Sequence, residues 1–422
     1  MIYIQDKTLC CGCSACVECC PRHCISMQED NEGFLYPTVD AEKCIGCNLC
    51  EQVCPGIDPN EHRRPLDTYA AKNPDDKVRL LSSSGGIFTM LAERTIRRGG
   101  VVFGARFDEN WEVVHDYAET LEGVELFRGS KYVQSRMDCS YRKAEVFLRI
   151  GRDVLFSGTP CQIVGLKRFL RRDYDNLLTV DVICHGVPSP GVWRQYLKEI
   201  MLRPKGVAAG KNTVLSSLNE MPVVTGISFR DKRLGWKKYG FEIRMSASKA
   251  DKNSVLKSGK YPKEFFLFER QRENIFLRGF FANIYLRRSC YACPAKAGCS
   301  HSDITLGDYW DIDSLMPQLD DDRGVSAVLV NSEYGARALS ETGAELHAVP
   351  YEDVVRKNPA LVRSVTQPAG RSAFYRDTSD LLLPKIAHYS QPPVRNRIRR
   401  FVRSVVTRCG LLSLFPKNKR GQ

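Results

Sequence analysis

The stretch CCGCSACVECCP at residues 10–21 and the stretch CIGCNLCEQVCP at residues 44–55 decide the character of the first part of this 422-residue chain. Both contain the spacing C-x2-C-x2-C-x3-C-P. Such short gaps place three thiolates on one tight loop, and the fourth cysteine, held at a distance by its proline, points elsewhere. The repeated spacing therefore predicts two 4Fe-4S clusters.

The fourth cysteine of each copy is expected to ligate the cluster of the other copy, an arrangement typical of bacterial ferredoxins. The first cluster is assigned to Cys10, Cys13, Cys16 and Cys54. The second is assigned to Cys44, Cys47, Cys50 and Cys20. Zinc ribbons and disulfide frameworks fit less well, because zinc pairs need longer gaps and disulfides rarely use such close spacing.

Eleven of the 18 cysteines lie within the first 54 residues, and thiolate ligands require a reducing compartment. The first eight residues lack the basic and apolar segments of a signal peptide, and no run of 18 apolar residues follows. We therefore expect a cytoplasmic protein without a spanning helix.

The formal charge of +13 is concentrated in the C-terminal tail, residues 391–422, whose nine basic side chains follow the last acidic residue, Asp380. The body is only mildly basic and has no zinc-finger, RNA-binding or phosphate-loop motif, so nucleic acid is not an expected partner. The tail has one apolar helical face, formed by Val394, Ile398, Phe401, Val402, Val405, Cys409 and Leu412. Such a helix could bind to the anionic inner surface of a membrane, or it could dock on the body of the protein.

The periodicity beyond the cysteine repeats predicts an α/β body with a mixed sheet. Predicted strands span residues 68–72, 101–107, 112–118, 154–157, 177–183, 223–229, 239–245, 303–306 and 325–330. Predicted helices span 86–98, 141–150, 161–172 and 191–201, and residues 203–222 are predicted to form a loop. The expected organisation is a dicluster module at 1–60, a body in two parts at 68–150 and 151–370, and the helical tail at 391–422.

Two serine- and glycine-rich runs are candidates for a phosphate site. Ser83, Ser84, Gly85 and Gly86 precede a predicted helix, where backbone N–H groups and hydroxyls favour an anion. Lys131 and Tyr132 offer a cation and an aromatic face to the same ligand. The alternatives are an ordinary helix cap and a solvated lysine in a turn.

Two single cysteines come shortly after predicted strands of the body. Cys161 opens a helix after Gly158, where the helix dipole favours a thiolate, and Cys184 follows a buried strand. Each is a candidate ligand or reactive thiol, or else a buried apolar residue.

A second group of cysteines has the spacing C-x2-C-x5-C, formed by Cys290, Cys293 and Cys299. Three soft ligands do not close a site. Cys161 or Cys184 would complete a third 4Fe-4S cluster, whereas His301 would complete a structural zinc site.

Five motifs together resemble the beta-subunit family of coenzyme F420 hydrogenase and dehydrogenase, over about residues 68–370. They are Ser83–Gly86, Gly129–Tyr132, Gly158–Gln162, Cys184–Ser189 and Ser302–Trp310. The resemblance implies a flavin-binding body that holds FAD with a 4Fe-4S cluster beside it. It implies FAD contacts from Ser83, Ser84, Gly85, Gly86, Lys131 and Tyr132. It also implies that Thr159, Cys161 and Gln162 lie between cluster and flavin, and it favours a third cluster over zinc.

The resemblance predicts an iron-sulfur flavoprotein oxidoreductase that moves electrons between a ferredoxin-like redox protein and an organic small-molecule acceptor. Clusters carry single electrons and flavin carries one or two, so the pair couples one-electron supply to two-electron chemistry. The chain offers no nickel-iron motif of its own. The alternative is a non-catalytic electron-transfer subunit that docks on a separate enzyme.

Overall fold

The computed structural model describes residues 1–202, 222–246 and 264–391. The cysteine-rich module pairs strand β1 (Ile25–Glu29) with strand β2 (Leu35–Val39) in an antiparallel hairpin. Helices α1 (Ala15–Glu18) and α2 (Leu49–Gln52) each follow one set of closely spaced cysteines.

The two cysteine repeats have the same backbone conformation. Gly12 and Gly46 take φ of 70° and 67°, a region that suits glycine. Ser14 and Asn48, the residues just before α1 and α2, have φ of 64° and 57°. The sequence repeat is therefore also a structural repeat, with a tight turn and a short helix in each copy.

The body is built on one mixed sheet of eight strands. The strands are β3 (Asp67–Lys72), β4 (Val101–Phe107), β5 (Val113–Ala118), β6 (Val154–Gly158), β7 (Leu177–Val182), β11 (Ile304–Asp308), β12 (Ser326–Val330) and β13 (Glu345–Ala348). Their order is β13-β3-β12-β11-β7-β6-β4-β5. The four central strands β11, β7, β6 and β4 run parallel, and the outer pairs are antiparallel. The predicted mixed α/β architecture with a small N-terminal module is confirmed.

A smaller antiparallel sheet contains β8 (Val223–Asp231), β9 (Gly240–Ser246) and β10 (Glu264–Arg270), in the order β10-β9-β8. Two of these strands were expected from the periodicity, but their separation from the main sheet was not. Phe229, Phe241 and Ile243 are fully buried in an aromatic core with Trp193 and Phe276. This packing fixes β8 beside the carboxyl end of β11.

Helices cover both faces of the main sheet. They are α3 (Asp76–Leu81), α4 (Ile87–Arg97), α5 (Leu121–Glu125), α6 (Ser140–Arg149), α7 (Pro160–Leu170), α8 (Pro190–Leu202), α9 (Ile275–Phe281), α10 (Ile312–Leu315), α11 (Glu333–Ser340), α12 (Tyr351–Lys357), α13 (Arg371–Arg376) and α14 (Leu382–Tyr389). Within the described residues, no helix is long and apolar enough to span a membrane. The predicted loop at 203–222 and the predicted tail helix lie almost wholly outside those residues.

Candidate redox site

Five cysteines line one small cavity in the module: Cys24 and the set assigned to the second cluster, Cys20, Cys44, Cys47 and Cys50. Cys20 comes from the first copy of the repeat, and Cys44, Cys47 and Cys50 come from the second. The backbone N–H of Ile2 donates to Cys50 Sγ at 3.3 Å, and Cys24 Sγ lies 3.4 Å from Cys20 Sγ. The structure thus brings together the set assigned to the second cluster.

The thiols assigned to the first cluster are also close to one another. Burial raises the pKa of Cys16, and the charges of Cys10 and Cys54 raise it further. Burial likewise raises the pKa of Cys54, with Cys10 contributing. Buried thiols that disfavour ionisation become thiolates readily when iron binds them.

Helix α7 of the body packs directly on the first cysteine copy. A side-chain carbon at Gly165 would lie 3.1 Å from Cys13 Sγ, so only glycine allows this approach. At the start of α7, the neighbouring thiol of Cys11, together with burial, raises the pKa of Cys161. Cys161 therefore lies at the boundary between the module and the body.

Cys184 and Cys290 meet at the carboxyl edge of the sheet. The N–H of Val187 donates to Cys290 Sγ at 3.4 Å, which holds the loop after β7 against the cysteine. Burial, together with the neighbouring charges of Cys161 and Cys293, raises the pKa of Cys184 to about 12. Four thiols from three segments of the chain are thus close enough to influence one another.

The outlying members of this group are Cys299 and His301. Burial raises the pKa of Cys299, and Cys293 is the neighbouring charge that adds to it. His301 Nε2 lies 3.0 Å from the carbonyl oxygen of Glu61 in the linker. Because Nε2 contacts the linker backbone, a zinc ion could be bound by His301 through Nδ1 alone.

Thr159 and Gln162 are joined in a cap at the start of α7. The N–H of Thr159 donates to Gln162 Oε1 at 2.8 Å, and Gln162 Nε2 donates to Ser135 Oγ at 2.8 Å. Thr159 Oγ1 lies 3.3 Å from Cys161 Sγ. Both residues thus orient Cys161 through contacts within the protein.

The two candidate phosphate runs lie side by side. Ser83 Oγ accepts hydrogen bonds from the N–H and the Oγ of Ser130, at 2.7 and 2.9 Å. A side-chain carbon at Gly85 would lie 2.4 Å from the Ala71 carbonyl oxygen. Packing against β3 is therefore sufficient to explain Gly85, whereas Gly86, with φ of 85°, precedes α4 as its cap.

Arg230 on β8 reaches the same region with unused hydrogen-bond donors. Its side chain is buried, and Nη1 donates to Asp308 Oδ2 at 2.5 Å. In the described part of the chain, Nε and Nη2 of Arg230 have no partner. The rings of Tyr239 and Trp310 lie 4.5 and 5.5 Å from the guanidinium carbon.

Three basic side chains, Lys131, Lys232 and Arg230, lie around the two serine- and glycine-rich runs. Burial lowers the pKa of Lys131 to about 7, and its ammonium donates to two backbone carbonyls. Burial lowers the pKa of Lys232 to about 7 as well, and its ammonium donates to three carbonyls, including that of Ser84. Within the described residues, Arg230 is the one of these three side chains that forms an ion pair, with Asp308.

An aromatic bridge connects this cationic region with the cysteine group. The Tyr132 ring stacks on Phe280 at 4.8 Å between centroids, and the His185 ring meets Phe280 edge-on at 5.1 Å. His185 follows Cys184 directly. The two candidate sites are therefore neighbours.

The two cysteine repeats indicate an iron-sulfur protein, and comparison with known protein families identifies the domains that it resembles. The chain matches the 4Fe-4S dicluster domain over residues 9–56 and the C terminus of the coenzyme F420 hydrogenase/dehydrogenase beta subunit over residues 151–353. The resemblance inferred from the motifs is confirmed.

An F420-reducing NiFe hydrogenase complex from Methanosarcina barkeri is similar in structure to this chain. The identity is 17%, the match covers 77% of this chain and 90% of the other, and the TM-score is 0.43. None of the curated proteins compared with the chain matches it.

Several residues of these sites were not found by sequence reasoning. Arg230 and Lys232 belong to no motif, and Arg230 meets Asp308 through the packing of β8 on the main sheet. Asp308 lies within the Ser302–Trp310 motif, which is the one signal that pointed to this place.

Proposed function

We propose that the chain is an iron-sulfur flavoprotein oxidoreductase, in which electrons move between a redox protein and an organic acceptor through 4Fe-4S clusters and FAD. The observation that carries the proposal is the continuous arrangement of thiols from the module into the body. Cys13 packs on α7, Cys161 at the start of α7 lies near Cys11, and Cys184 lies near Cys161. Such a succession suits stepwise transfer of single electrons.

The third cluster is proposed for the cysteines at the carboxyl edge of the sheet. Five thiols are candidates for its four positions: Cys161, Cys184, Cys290, Cys293 and Cys299. Cys299 is the most peripheral of them. Among the described residues, Cys293 is the one thiol whose charge contributes to the raised pKa of Cys299. Contact of Cys161 with the dicluster module makes it either a ligand or the bridge between clusters.

FAD is proposed beside the Ser83–Gly86 and Gly129–Tyr132 runs, and the residues there fit an anionic dinucleotide. The two unpartnered nitrogens of Arg230 need acceptors, and the Lys131 ammonium lacks a carboxylate partner among the described residues. A diphosphate supplies both acceptors and negative charge. When bound, FAD would supply the one- and two-electron chemistry that clusters lack.

The roles of the protein's own residues follow from their contacts. Lys131 and Arg230 would hold negative charge, Tyr132 would offer its ring face, and Thr159 and Gln162 would fix the start of α7. Ser83 would keep the two runs together through Ser130. Because these contacts already hold the binding site in place, less conformational entropy is lost when the cofactor binds.

The second candidate function is an electron-transfer subunit that acts only with a separate enzyme. It is favoured by the family match, because that family is described as a subunit of hydrogenases and dehydrogenases. An assay of the purified chain separates the two candidates. Turnover of small acceptors with a viologen or ferredoxin donor supports the first, and activity that requires a partner supports the second.

Cofactor analysis of anaerobically purified protein tests the proposal. We expect about twelve irons and one FAD per chain, because three cubanes contain four irons each. Arg230→Met should lower FAD content, whereas Arg94→Met, which removes the ion pair with Glu341 just after α11, should not. Eight irons with one zinc would contradict the third cluster, and absence of flavin would contradict the FAD site.

A further inference from the structure

The side chain of Arg287 is completely buried between the body and the first cysteine copy. Nε donates to the carbonyl oxygen of Cys10 at 2.7 Å, and Nη2 lies 3.4 Å from Cys10 Sγ. Nη2 also donates to the Leu35 carbonyl oxygen at 2.9 Å, and Nη1 donates to Gln134 Oε1 at 3.1 Å. The guanidinium is therefore held in one orientation, directed at a predicted cluster ligand.

Arg287 has no carboxylate partner within the part of the chain that the structure describes. The nearby carboxylate of Glu32 is bonded instead to Arg371 and Arg288. A guanidinium stays charged in proteins, and a buried charge without a counter-ion is strongly destabilising. The rings of Tyr36 and Phe34 also face the guanidinium, at 4.2 and 5.4 Å from its carbon. Among the acceptors of Arg287, Cys10 Sγ is the one that would become negatively charged on binding iron.

The first cysteine copy is shaped around this cation. A side-chain carbon at Gly12 would lie 2.8 Å from the Arg287 guanidinium. On its other side, the Arg287 carbonyl accepts the N–H of Cys290 at 3.0 Å. One residue thus contacts a ligand of the first cluster through its side chain and a third-site cysteine through its backbone.

We propose that Arg287 is the built-in counter-cation of the first 4Fe-4S cluster and raises the reduction potential of that cluster. The inference rests on the clusters of the proposed function. A cluster with four thiolates is anionic and gains negative charge on reduction, so a fixed cation stabilises the reduced form more than the oxidised form. Net charge and hydrogen bonds to the sulfurs are known determinants of cluster potentials. Electrons are thereby drawn to the cluster that adjoins the body.

Redox titration followed by electron paramagnetic resonance tests this assignment on the anaerobic full-length protein. In Arg287→Gln, the ratio of reduced to oxidised first cluster at a fixed potential should fall at least tenfold, which is about 59 mV for one electron. The second cluster serves as an internal reference and should not change. Arg79→Gln is the matched control, because Arg79 is also buried but bonds to Asp321 and contacts no cysteine among the described residues.

The variant Arg287→Lys separates charge from architecture. The proposal is supported if Arg287→Lys retains its clusters and the reduction potential of its first cluster is near that of the wild type. This holds even if Arg287→Gln does not retain the first cluster. Unchanged potentials in loaded Arg287→Gln, an equal drop in Arg287→Lys, or loss of the first cluster from both variants would overturn it. Wild-type protein without clusters would refute the proposed function itself, whereas loaded wild-type protein with these contrary variants refutes only the role of Arg287.

Discussion

Replacement of Glu32 by glutamine should loosen the attachment of the cysteine-rich module to the body. Glu32 lies at the tip of the β1–β2 hairpin and bonds to Arg371 at 3.0 and 2.6 Å, with both side chains 3% exposed. Arg288 adds a hydrogen bond at 2.6 Å, but 44% of its side chain is exposed. The buried pair with Arg371 is therefore the main electrostatic link at this point.

The size of the effect follows from burial. Removing one partner of a buried ion pair costs about 3–5 kcal/mol, since the other charge is left buried and unpaired. Glutamine keeps the shape and one acceptor, so we expect the lower end, about 3 kcal/mol. If the pair is broken in the unfolding transition state, unfolding should accelerate by roughly 100-fold.

The assay is the rate of cluster loss in urea under anaerobic conditions, followed by cluster absorbance. A rate is the right quantity because cluster loss makes unfolding irreversible. Glu29→Gln is the matched control, since Glu29 pairs with Arg194 across the same interface but both side chains are at least 40% exposed. An exposed pair contributes about 0–1 kcal/mol. Equal rates in the two variants would refute the reasoning.

The effect should also depend on pH in one direction. Burial opposes ionisation of Glu32, but hydrogen bonds from Arg371 and Arg288 outweigh it and lower its pKa below the usual value. A lowered carboxyl pKa stabilises the folded protein above the unfolded value of about 4.3, and this stabilisation is lost as pH falls through the folded value. The difference between wild type and Glu32→Gln should therefore be full at neutral pH and shrink in acid. A difference that does not shrink would contradict the assigned ion pair.

Three further predictions concern the cofactors. Cys20→Ala should damage the cluster of Cys44, Cys47 and Cys50 and leave the first cluster intact in electron paramagnetic resonance spectra; loss of the first cluster alone would contradict the interleaved ligands. The affinity of flavin-free protein for FAD should fall as pH rises through about 7, because the pKa of Lys131 is lowered to that value and its positive charge is lost. Lys131→Met should abolish that dependence in a fluorescence titration, and a retained slope would assign it to another group. Cys184→Ser should slow flavin reduction while the ferredoxin-type clusters still reduce, and unchanged kinetics would remove Cys184 from the path.

The local features were predictable from the sequence because they depend on neighbouring residues. The spacing of the cysteines determines their turns, and the periodicity located helices such as α4 and strands such as β4. Cys20 lines a cavity together with cysteines of the second copy, and its role as a ligand of their cluster stays a prediction from the spacing.

Long-range contacts were not predictable. The order of the eight strands depends on which faces pack together, and no local pattern encodes it. Glu32 meets Arg371 across 339 positions of the chain, and Arg287 meets Cys10 across 277. Single charged residues carry no spacing signal, so their function becomes visible only when burial and partners are known.

The central claim is that electrons pass from the module through the body to a flavin, and anaerobic stopped-flow spectroscopy tests it most directly. Purified protein is mixed with a reduced ferredoxin or viologen, and cluster and flavin absorbance are followed together. Clusters should be reduced first and flavin afterwards, with the second step slowed in Cys184→Ser. Flavin reduction that precedes reduction of the clusters would contradict the account, whereas an unchanged rate in Cys184→Ser would remove only Cys184 from the path.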